Sequence, residues 1–322
     1  MKVSLVIDGN YLLHKDVYTL INEKTLYGDL PVLLNNNLNS LLKLYPFDSI
    51  YFISDSKMRW RQDYFSDYKQ NRVKDDKVDW EFIFKTYNNF KKELKEMSHV
   101  NFYEIDWVEG DDIISYIVKK NNESGISNFI MASDGDLHQL LHFDLGLEYI
   151  NLMYNFKLSD ERCYLPENYN IFLKEMRDNI GSNLFDMNDD DEFLDFLEKL
   201  TNKSKIKEVS PEESLFCKLV AGDRKDNVPS VYKKGARGIG EAGSKSIYNL
   251  YKETNQEIID FDSENFINSL TEIISYSKKI TEQEVKDEIK NNLIRNRKLL
   301  KLDENYLPTA LKEQVVNKVK IY

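Results

Sequence analysis

The sequence of 322 residues contains little cysteine, histidine or proline: two, four and six residues, respectively. Because Cys163 and Cys217 lie far apart, we expect neither a disulfide framework nor a cysteine-based zinc site. Four histidines are too few for a large histidine-rich metal site. This composition makes the reducing cytosol the expected compartment.

Long apolar runs are also missing. No run approaches the roughly 20 residues that a membrane helix needs, and charge interrupts the first residues too early for a secretory signal. We therefore expect a soluble protein without a membrane partner. Lys and Arg number 44 against 55 Asp and Glu, a net charge of −11. That balance argues against a polybasic coat for nucleic acid, but it leaves room for local basic patches.

Hydrophobic residues make up 41% of the chain, enough for a sizeable core, and the length predicts about two domains. Strand-like and helical patterns alternate over the first 150 residues, which predicts an α/β fold with a mostly parallel sheet flanked by helices. The predicted strands are residues 3–7, 49–53, 100–105, 128–132 and 147–151, with helices between them at 33–44 and 111–120.

Three further features of the sequence predict how the chain is divided into domains. Residues 57–98 form a long, charged, helical insertion between the second and third strands, and residues 181–192 suit an exposed linker. Beyond the linker the chain is mainly helical, with a glycine-rich turn at 235–243. We therefore predict an α/β domain over 1–180 and a mainly helical domain over 181–322.

Acidic residues follow four successive predicted strands. They are Asp8; Asp55; Glu109, Asp111 and Asp112; and Asp134 and Asp136, with Asp223 and Asp226 following much later. Because the carboxyl ends of parallel strands lie at one edge of a sheet, we expect the first four groups to meet there. Isolated acidic pairs arise by chance in so acidic a chain. Asp189-Asp190-Asp191, for example, follows no strand and predicts only a solvated loop.

Carboxylates gathered in this way need protons or cations nearby. Two like charges 4 Å apart repel by about 4 kcal/mol at an effective dielectric constant near 20. Ligands that are all oxygen favour Mg²⁺ or Mn²⁺ over zinc. Two such ions roughly 3.5–4 Å apart can activate a water molecule and stabilise the leaving oxygen of a phosphodiester. The pattern therefore predicts a two-metal phosphodiesterase.

Two basic elements stand out from the acidic background. The first contains Lys57, Arg59, Arg61, Lys69, Arg72, Lys74 and Lys77. A helix would place Lys69 and Arg72 on one face, and interleaved aromatic residues could stack on bases or simply pack in a core. The second offers Lys233, Lys234, Arg237, Gly238, Gly240, Ser244 and Lys245. Its glycines would let phosphate approach the backbone, although a lone Gly-Ile-Gly is also typical of an ordinary helix connection.

Four stretches together resemble a known family. They are Ser54-Asp55-Ser56-Lys57 with Asp67 to Arg72, Glu109-Gly110-Asp111-Asp112, Ala132 to Asp136, and Ala221 to Val228. In order and spacing they resemble the 5′-nuclease superfamily of flap endonucleases and 5′-3′ exonucleases, and within it the ribonuclease H proteins of T-even bacteriophages. The resemblance covers residues 3–250 well and is faint beyond them.

The resemblance implies a PIN-like fold, a helical arch at 57–98, and a DNA-binding helix–hairpin–helix at about 215–252 that often holds K⁺. It implies that Asp8, Asp55 and Asp111 bind one Mg²⁺, with Glu109 and Asp112 nearby. Asp134, Asp136 and Asp223 would serve the second ion, with Asp226 in an outer shell. By the same likeness, Lys69 and Arg72 would contact the scissile phosphate.

The predicted function is metal-dependent cleavage from the 5′ end of DNA–DNA and RNA–DNA duplexes, removing RNA primers and 5′ flaps during replication. The expected partners are such nucleic acids and a replication protein such as a single-strand-binding protein, with the chain a monomer. Two alternatives are a catalytically silent protein that binds DNA junctions and a PIN-type ribonuclease specific for single strands.

Overall fold

Short segments rich in β-branched and aromatic residues form one mixed β-sheet. The computed structural model describes residues 1–24, 27–73, 75–76, 78–144, 146, 149–155, 161–179, 189–255 and 258–322. The strands of the sheet are β1 (Val3–Asp8), β2 (Ser49–Ile53), β3 (Asn101–Tyr103), β4 (Ser127–Met131), β5 (His142–Phe143), β6 (Ile150–Asn155), β7 (Arg162–Pro166) and β8 (Lys205–Val209).

The strand order places the carboxyl ends of β1, β2 and β4 side by side. The order is β3-β2-β1-β4-β6-β7-β8, with β5 added on β6. β1 runs parallel to both neighbours, so that Ile7 lies opposite Phe52 on one side and Met131 on the other. β7 is antiparallel to β6, and β8 is parallel to β7. The prediction of a mostly parallel α/β sheet is confirmed.

The predicted strands match the observed ones where an apolar run marks them. β1 and β2 begin and end within a residue of prediction, while β3 is shorter than residues 100–105. The strand predicted at 147–151 is observed as β6, although residues 147 and 148 lie outside the described residues. β8 was not predicted, because its sequence Lys-Ile-Lys-Glu-Val alternates charge and most of it is exposed at the sheet edge.

Helices flank the sheet and build a second cluster later in the chain. They are α1 (Gly9–Glu23), α2 (Leu30–Leu42), α3 (Trp60–Tyr64), α4 (Trp80–Glu96), α5 (Gly110–Asn122), α6 (Tyr169–Asn179), α7 (Asp189–Lys203), α8 (Pro211–Ala221), α9 (Glu241–Thr254), α10 (Glu264–Lys278), α11 (Gln283–Leu300) and α12 (Thr309–Lys318). Within the described residues, none of them combines the length and the apolarity needed to cross a bilayer.

The chain folds as two compact units. The first comprises Met1–Arg59, Lys74–Val209 and Asp303–Tyr322, and the second comprises Trp60–Val73 and Ser210–Leu302. Residues 189–209, which we assigned to the helical domain, belong to the first unit because β8 pairs with β7. The predicted boundary at residue 180 and most of the predicted linker lie outside the described residues. The three aspartates at 189–191, predicted as a loop, begin α7.

Residues 57–98, predicted as one helical arch, are divided between the two units. α4 places a stripe at helical spacing, Ile83, Tyr87, Phe90 and Leu94, in the core of the first unit. This stripe has the i, i+4, i+7 period of a helix that packs on a sheet. The segment Trp60–Val73 instead joins the core of the second unit through the buried Tyr68.

The second unit is built from α8 to α11 around one apolar cluster that includes Phe216, Leu270 and Leu293. Between α8 and α9 lies a short hairpin of β9 (Lys233–Lys234) and β10 (Arg237–Gly238). Ser230 supports this hairpin, since its hydroxyl accepts a hydrogen bond from the Ile239 backbone N–H at 3.0 Å. A helix–hairpin–helix function for residues 215–252 stays a prediction.

Candidate metal centre and active site

The first acidic side chain of the site is fixed by the turn from β1 into α1. Asp8 is the N-cap of α1, and its carboxylate accepts hydrogen bonds from the backbone N–H groups of Asn10 and Tyr11, both at 3.0 Å. Gly9 is required here because a Cβ would lie 2.2 Å from the Phe52 ring and 2.7 Å from the Ile53 carbonyl oxygen. The close approach of α1 to β2 therefore places the Asp8 carboxylate at the sheet edge.

Asp55 joins the end of β2 to the start of α5. Its carboxylate accepts a hydrogen bond from the Gly110 backbone N–H at 2.6 Å. Gly110 is the first residue of α5, so the positive end of that helix also favours the charged carboxylate. Asn10 braces the same turn, because its side-chain oxygen lies 3.3 Å from the Asp55 backbone nitrogen.

Three further carboxylates converge from α5 and from the turn after β4. Asp111, Asp134 and Asp136 offer one oxygen each, and these oxygens all lie within 4.8 Å of one another. Asp134 is held in place by accepting a hydrogen bond from the Asp136 backbone N–H at 3.0 Å. Two acids from the turn after β4 thus share one cluster with an acid from the first turn of α5.

The raised pKa of Asp8 reflects its burial and the negative charges close to it at this sheet edge. Burial, followed by the negative charges of Asp55 and then Asp134, raises the pKa of Asp8 to about 7, against the lowering effect of its two backbone hydrogen bonds. Asp8 therefore binds a proton readily when no other cation neutralises the cluster.

Glu109 and Asp112 lie at the same helix start but are almost fully buried, with 2% and 5% of their surface exposed. Glu109 forms an ion pair with Arg59, the Nε to Oε1 distance being 3.3 Å. Arg59, predicted to bind DNA, is thus engaged with an acid of the site, whereas Lys57 is exposed.

The donor set fits a hard divalent cation. The clustered donors are carboxylate oxygens, without a thiolate or imidazole among them, and such sets suit Mg²⁺ and Mn²⁺. A divalent ion would also relieve the repulsion that makes Asp8 bind a proton.

Two supporting residues of this site escaped the sequence analysis. The Tyr87 hydroxyl lies 3.4 Å from the Ser54 hydroxyl, next to Asp55, and burial with nearby acids raises the pKa of Tyr87. Asn10 could have been noticed because it directly follows Asp8 and Gly9. Tyr87 carries no such signal, since only the packing of α4 brings it to the sheet edge.

In the second unit, the Asp223 carboxylate is held by a tight loop. It accepts hydrogen bonds from the backbone N–H groups of Lys225 at 2.7 Å and Asp226 at 3.3 Å, and from the Lys218 ammonium at 3.1 Å. Burial alone would raise the pKa of Asp223, but Lys218 and the two N–H groups hold it below its usual range. Gly222 starts the loop with a φ of +73°, where a Cβ would lie 2.3 Å from the Val228 carbonyl oxygen.

Asp226 is the partner of both cations predicted to touch the scissile phosphate. Its buried carboxylate accepts a hydrogen bond from the Tyr68 hydroxyl at 2.9 Å, lies 3.4 Å from the Lys69 ammonium, and pairs with Arg72. The prediction of a helix over these residues is wrong: they form a turn in which Lys69 has a φ of +58°. The turn nevertheless brings both cations to one side chain.

Two of the residues predicted to contact DNA have buried side chains. Arg61 is 2% exposed, and its guanidinium donates a hydrogen bond to the Leu299 carbonyl oxygen at 2.8 Å. Ser244 is fully buried, its hydroxyl donates to the Glu241 carbonyl oxygen, and its backbone N–H donates to the Gly240 carbonyl oxygen. Both groups are used in packing and turned away from solvent.

The other residues of the second basic element are exposed. Lys233, Lys234, Arg237 and Gly238 lie on the hairpin, and Gly240 is the N-cap of α9. Lys245 is also exposed but forms an ion pair with Glu213 at 2.7 Å. The hairpin and the start of α9 thus present a polar, basic surface.

The sequence matches the model of a known protein family. The family described as "5'-3' exonuclease, N-terminal resolvase-like domain" matches residues 3–168, about half of the chain and most of the first unit. The chain belongs to the 5′-3′ exonuclease family. The prediction of a nuclease of the 5′-nuclease superfamily is therefore confirmed.

Two curated relatives support the family. A 5′-3′ exonuclease of Mycoplasmopsis pulmonis is 25% identical over 265 residues, spanning 82% of this chain and 71% of the relative. The ribonuclease H of Enterobacteria phage T4 is 38% identical over 84 residues, which span 25% of this chain and 28% of that protein.

Solved structures share the fold over nearly the whole chain. A bacteriophage T5 protein crystallised with metal ions has a TM-score of 0.61 at 16% identity, covering 98% of this chain and 97% of that one. The T5 flap endonuclease in a pseudo-enzyme–product complex with DNA and metal ions has a TM-score of 0.60 with the same identity and coverage. At this identity the likeness establishes the shared fold.

Proposed function

We propose that this member of the 5′-3′ exonuclease family hydrolyses phosphodiesters near 5′ ends and 5′ flaps, using two divalent ions. The observation that carries the proposal is the carboxylate cluster of Asp111, Asp134 and Asp136, whose oxygens lie within 4.8 Å of one another beside Asp8 and Asp55. So dense a set of acids at the carboxyl ends of parallel strands suits a metal centre better than a structural role.

Mg²⁺ is the expected ion, with Mn²⁺ able to replace it. The resemblance groups Asp111 with Asp8 and Asp55, but its clustering with Asp134 and Asp136 favours these three as the ligands of one ion. Asp8 and Asp55 would then take part in binding the other. Bound there, such ions would lower the pKa of water and polarise the phosphodiester. The Gly110 N–H keeps the Asp55 carboxylate oriented, and Asn10 keeps the adjoining turn rigid. Ligand roles for Asp223 and Asp226 stay predictions.

The proposed substrates are duplexes with 5′ ends or flaps, of DNA or of RNA paired with DNA. Support comes from the family, from a phage relative named ribonuclease H, and from a fold neighbour crystallised as a flap endonuclease with DNA. Removal of RNA primers during replication is the task that we infer from this substrate class. Replication partners, a monomeric state and K⁺ at the hairpin stay predictions.

Lys69 and Arg72 would stabilise charge that develops on the scissile phosphate. Both cations already share one anionic partner, the Asp226 carboxylate, which sets their spacing. The Tyr68 ring lies 4.9 Å from the Lys69 ammonium and further restricts it. We propose that the substrate phosphate binds to these two cations, which the fold has already positioned.

The hairpin would hold the duplex through its phosphates. Lys233, Lys234 and Arg237 are exposed, and the N-terminus of α9 offers backbone N–H groups to an anion. Such contacts recognise the backbone and not the base sequence.

The test is a cleavage ladder on 5′-labelled flap, nicked and RNA-primed duplexes, with Mg²⁺ or with a chelator. Asp134→Asn should keep the hydrogen bond to the Asp136 N–H but remove a metal ligand. We expect turnover to fall more than about a hundredfold, since even outer-shell changes at metal sites cost about 10- to 100-fold. The control is Asp195→Asn, an exposed acid of α7 in the same unit.

Near-normal cleavage by Asp134→Asn would contradict the metal assignment. Duplex binding without cleavage by the unaltered chain would favour the silent junction-binding alternative. Preference for single-stranded RNA over flap DNA would favour the PIN-type ribonuclease.

A further inference from the structure

A basic cleft lies in the second unit, beside the β9–β10 hairpin and the turn between α10 and α11. Its volume is about 700 Å³. The cations that line it are Lys233, Lys234, Lys278, Lys279 and Arg295. Two carboxylates, Glu282 and Glu288, also line it, so positive charge predominates. This excess is notable in a chain whose net charge is −11.

The four lysines of this cleft differ in their ion pairing from other lysines of the second unit. Among the described residues, no carboxylate lies within ion-pair distance of the ammonium groups of Lys233, Lys234, Lys278 or Lys279. Other lysines of the same unit are paired: Lys252 lies 3.0 Å from Glu212 and Lys286 lies 2.7 Å from Glu272. A group of exposed lysines left together in this way favours an anionic partner.

The two sides of the cleft are held in a fixed relation. Asn292 and Asn296 of α11 donate hydrogen bonds to the carbonyl oxygens of Val231 and Pro229, each at 3.0 Å. Arg295 donates to the same Pro229 oxygen at 3.2 Å and to Asn292 at 2.7 Å. These bonds tie the base of the hairpin to α11, so the lysines of both sides are presented on a rigid frame.

We propose that this cleft binds the phosphate backbone of duplex nucleic acid, extending the surface of the hairpin to the α10–α11 turn. The proposal rests on the proposed function, which makes a duplex the substrate. Lysine ammonium groups suit this role because each acts as a compact charge that meets phosphate oxygens without demanding one geometry. Lys278 and Lys279 would thus add contacts beyond those of the hairpin itself.

The backbone at Lys279 permits a test that does not strain the fold. Lys279 is the C-cap of α10 with a φ of 58°, a left-handed conformation that glycine adopts most easily. Lys279→Gly therefore removes the charge while keeping or improving the cap. Lys24, the C-cap of α1 with a φ of 56°, offers the same change in the first unit. Lys24→Gly is the matched control.

The experiment measures duplex DNA binding in chelator over a series of salt concentrations. We expect Lys279→Gly and Lys278→Gln each to weaken binding several-fold. Each should also make the slope of log K against log salt less steep by about 1, the effect of one lost phosphate contact. Lys24→Gly and the paired-lysine variant Lys286→Gln should leave affinity and slope unchanged.

The proposal fails if the Lys278 and Lys279 variants bind duplex as tightly as the unaltered chain, or if Lys24→Gly weakens binding equally. It also fails if the loss is confined to single-stranded DNA. Cleavage assays on the same samples separate the two proposals. Normal metal-dependent cleavage with unchanged binding would overturn the cleft alone, whereas lost binding in a chain that never cleaves would overturn only the nuclease assignment.

Discussion

Two opposing influences act on the protonation of the Asp8 carboxyl group. As the N-cap of α1 it accepts two backbone hydrogen bonds, which favour the charged carboxylate. Burial and the neighbouring charges of Asp55 and Asp134 favour the neutral form more strongly, and its pKa rises to about 7. The folded chain therefore binds a proton that the unfolded chain releases near pH 4.

This difference predicts a pH-dependent stability in the absence of metal. The contribution of Asp8 is fully present below its unfolded pKa and is lost as pH rises through about 7. Asp8→Asn keeps the cap and removes the titration. In chelator, the variant should be more stable than the unaltered chain at pH 8 by on the order of 2–4 kcal/mol, and little different at pH 4.

Urea unfolding at several pH values in chelator measures this difference. Asp8→Ala serves as the comparison, since it also removes the charge but loses the cap, at about 1 kcal/mol. A stability difference between Asp8→Asn and the unaltered chain that does not change with pH would contradict the account.

At the level of elements, the turn after α3 contacts the loop after α8, mainly through the Asp226 carboxylate. Asp226 binds Tyr68, Lys69 and Arg72, and the Lys69 backbone N–H donates to the Asp226 carbonyl oxygen at 2.8 Å. Asn71 and Asn227 add hydrogen bonds between the same two segments. The turn therefore belongs to the second unit although it lies far away in the sequence.

Breaking this carboxylate contact should cost stability as well as activity. Asp226→Asn would remove the charged carboxylate that lies 3.4 Å from the buried Lys69 ammonium, and removing one partner of a buried ion pair costs about 3–5 kcal/mol. Arg72→Gln should cost less than about 1 kcal/mol, because the Arg72 side chain is 46% exposed. Urea unfolding in chelator compares the two variants, and equal losses would contradict the assigned difference in burial.

For the whole molecule, the acidic site connects metal binding to folding. The carboxylate cluster is gathered only in the folded first unit, so divalent ions should bind the folded chain and raise its melting temperature. At a free concentration of 100 times the Kd, the stabilisation would be about 2.7 kcal/mol.

Differential scanning calorimetry with MgCl₂, against NaCl at equal ionic strength, measures this effect. Asp134→Asn should reduce the gain from Mg²⁺. An equal rise in NaCl would mean that general screening of the acidic chain, and not a specific site, stabilises the protein.

Features that depend on local order along the chain were predictable from the amino-acid sequence. Apolar runs fixed β1, β2 and β4, and acids placed directly after them had to lie at one sheet edge because parallel strands end together. The position of these acids at the sheet edge does not depend on how the side chains pack. The clustering of Asp111 with Asp134 and Asp136 was therefore predictable before the fold was known.

Which polar and charged side chains are buried depends on how the elements pack in three dimensions. Arg61 and Ser244 carry polar side chains that suit DNA, yet packing buries both, and Lys69 turns to Asp226 from 157 positions away in the chain. The placement of Tyr87 and the cleft formed by Lys233, Lys234, Lys278 and Lys279 likewise arises where distant segments meet. Local sequence does not encode such contacts, because the burial that selects them exists only once the elements have packed.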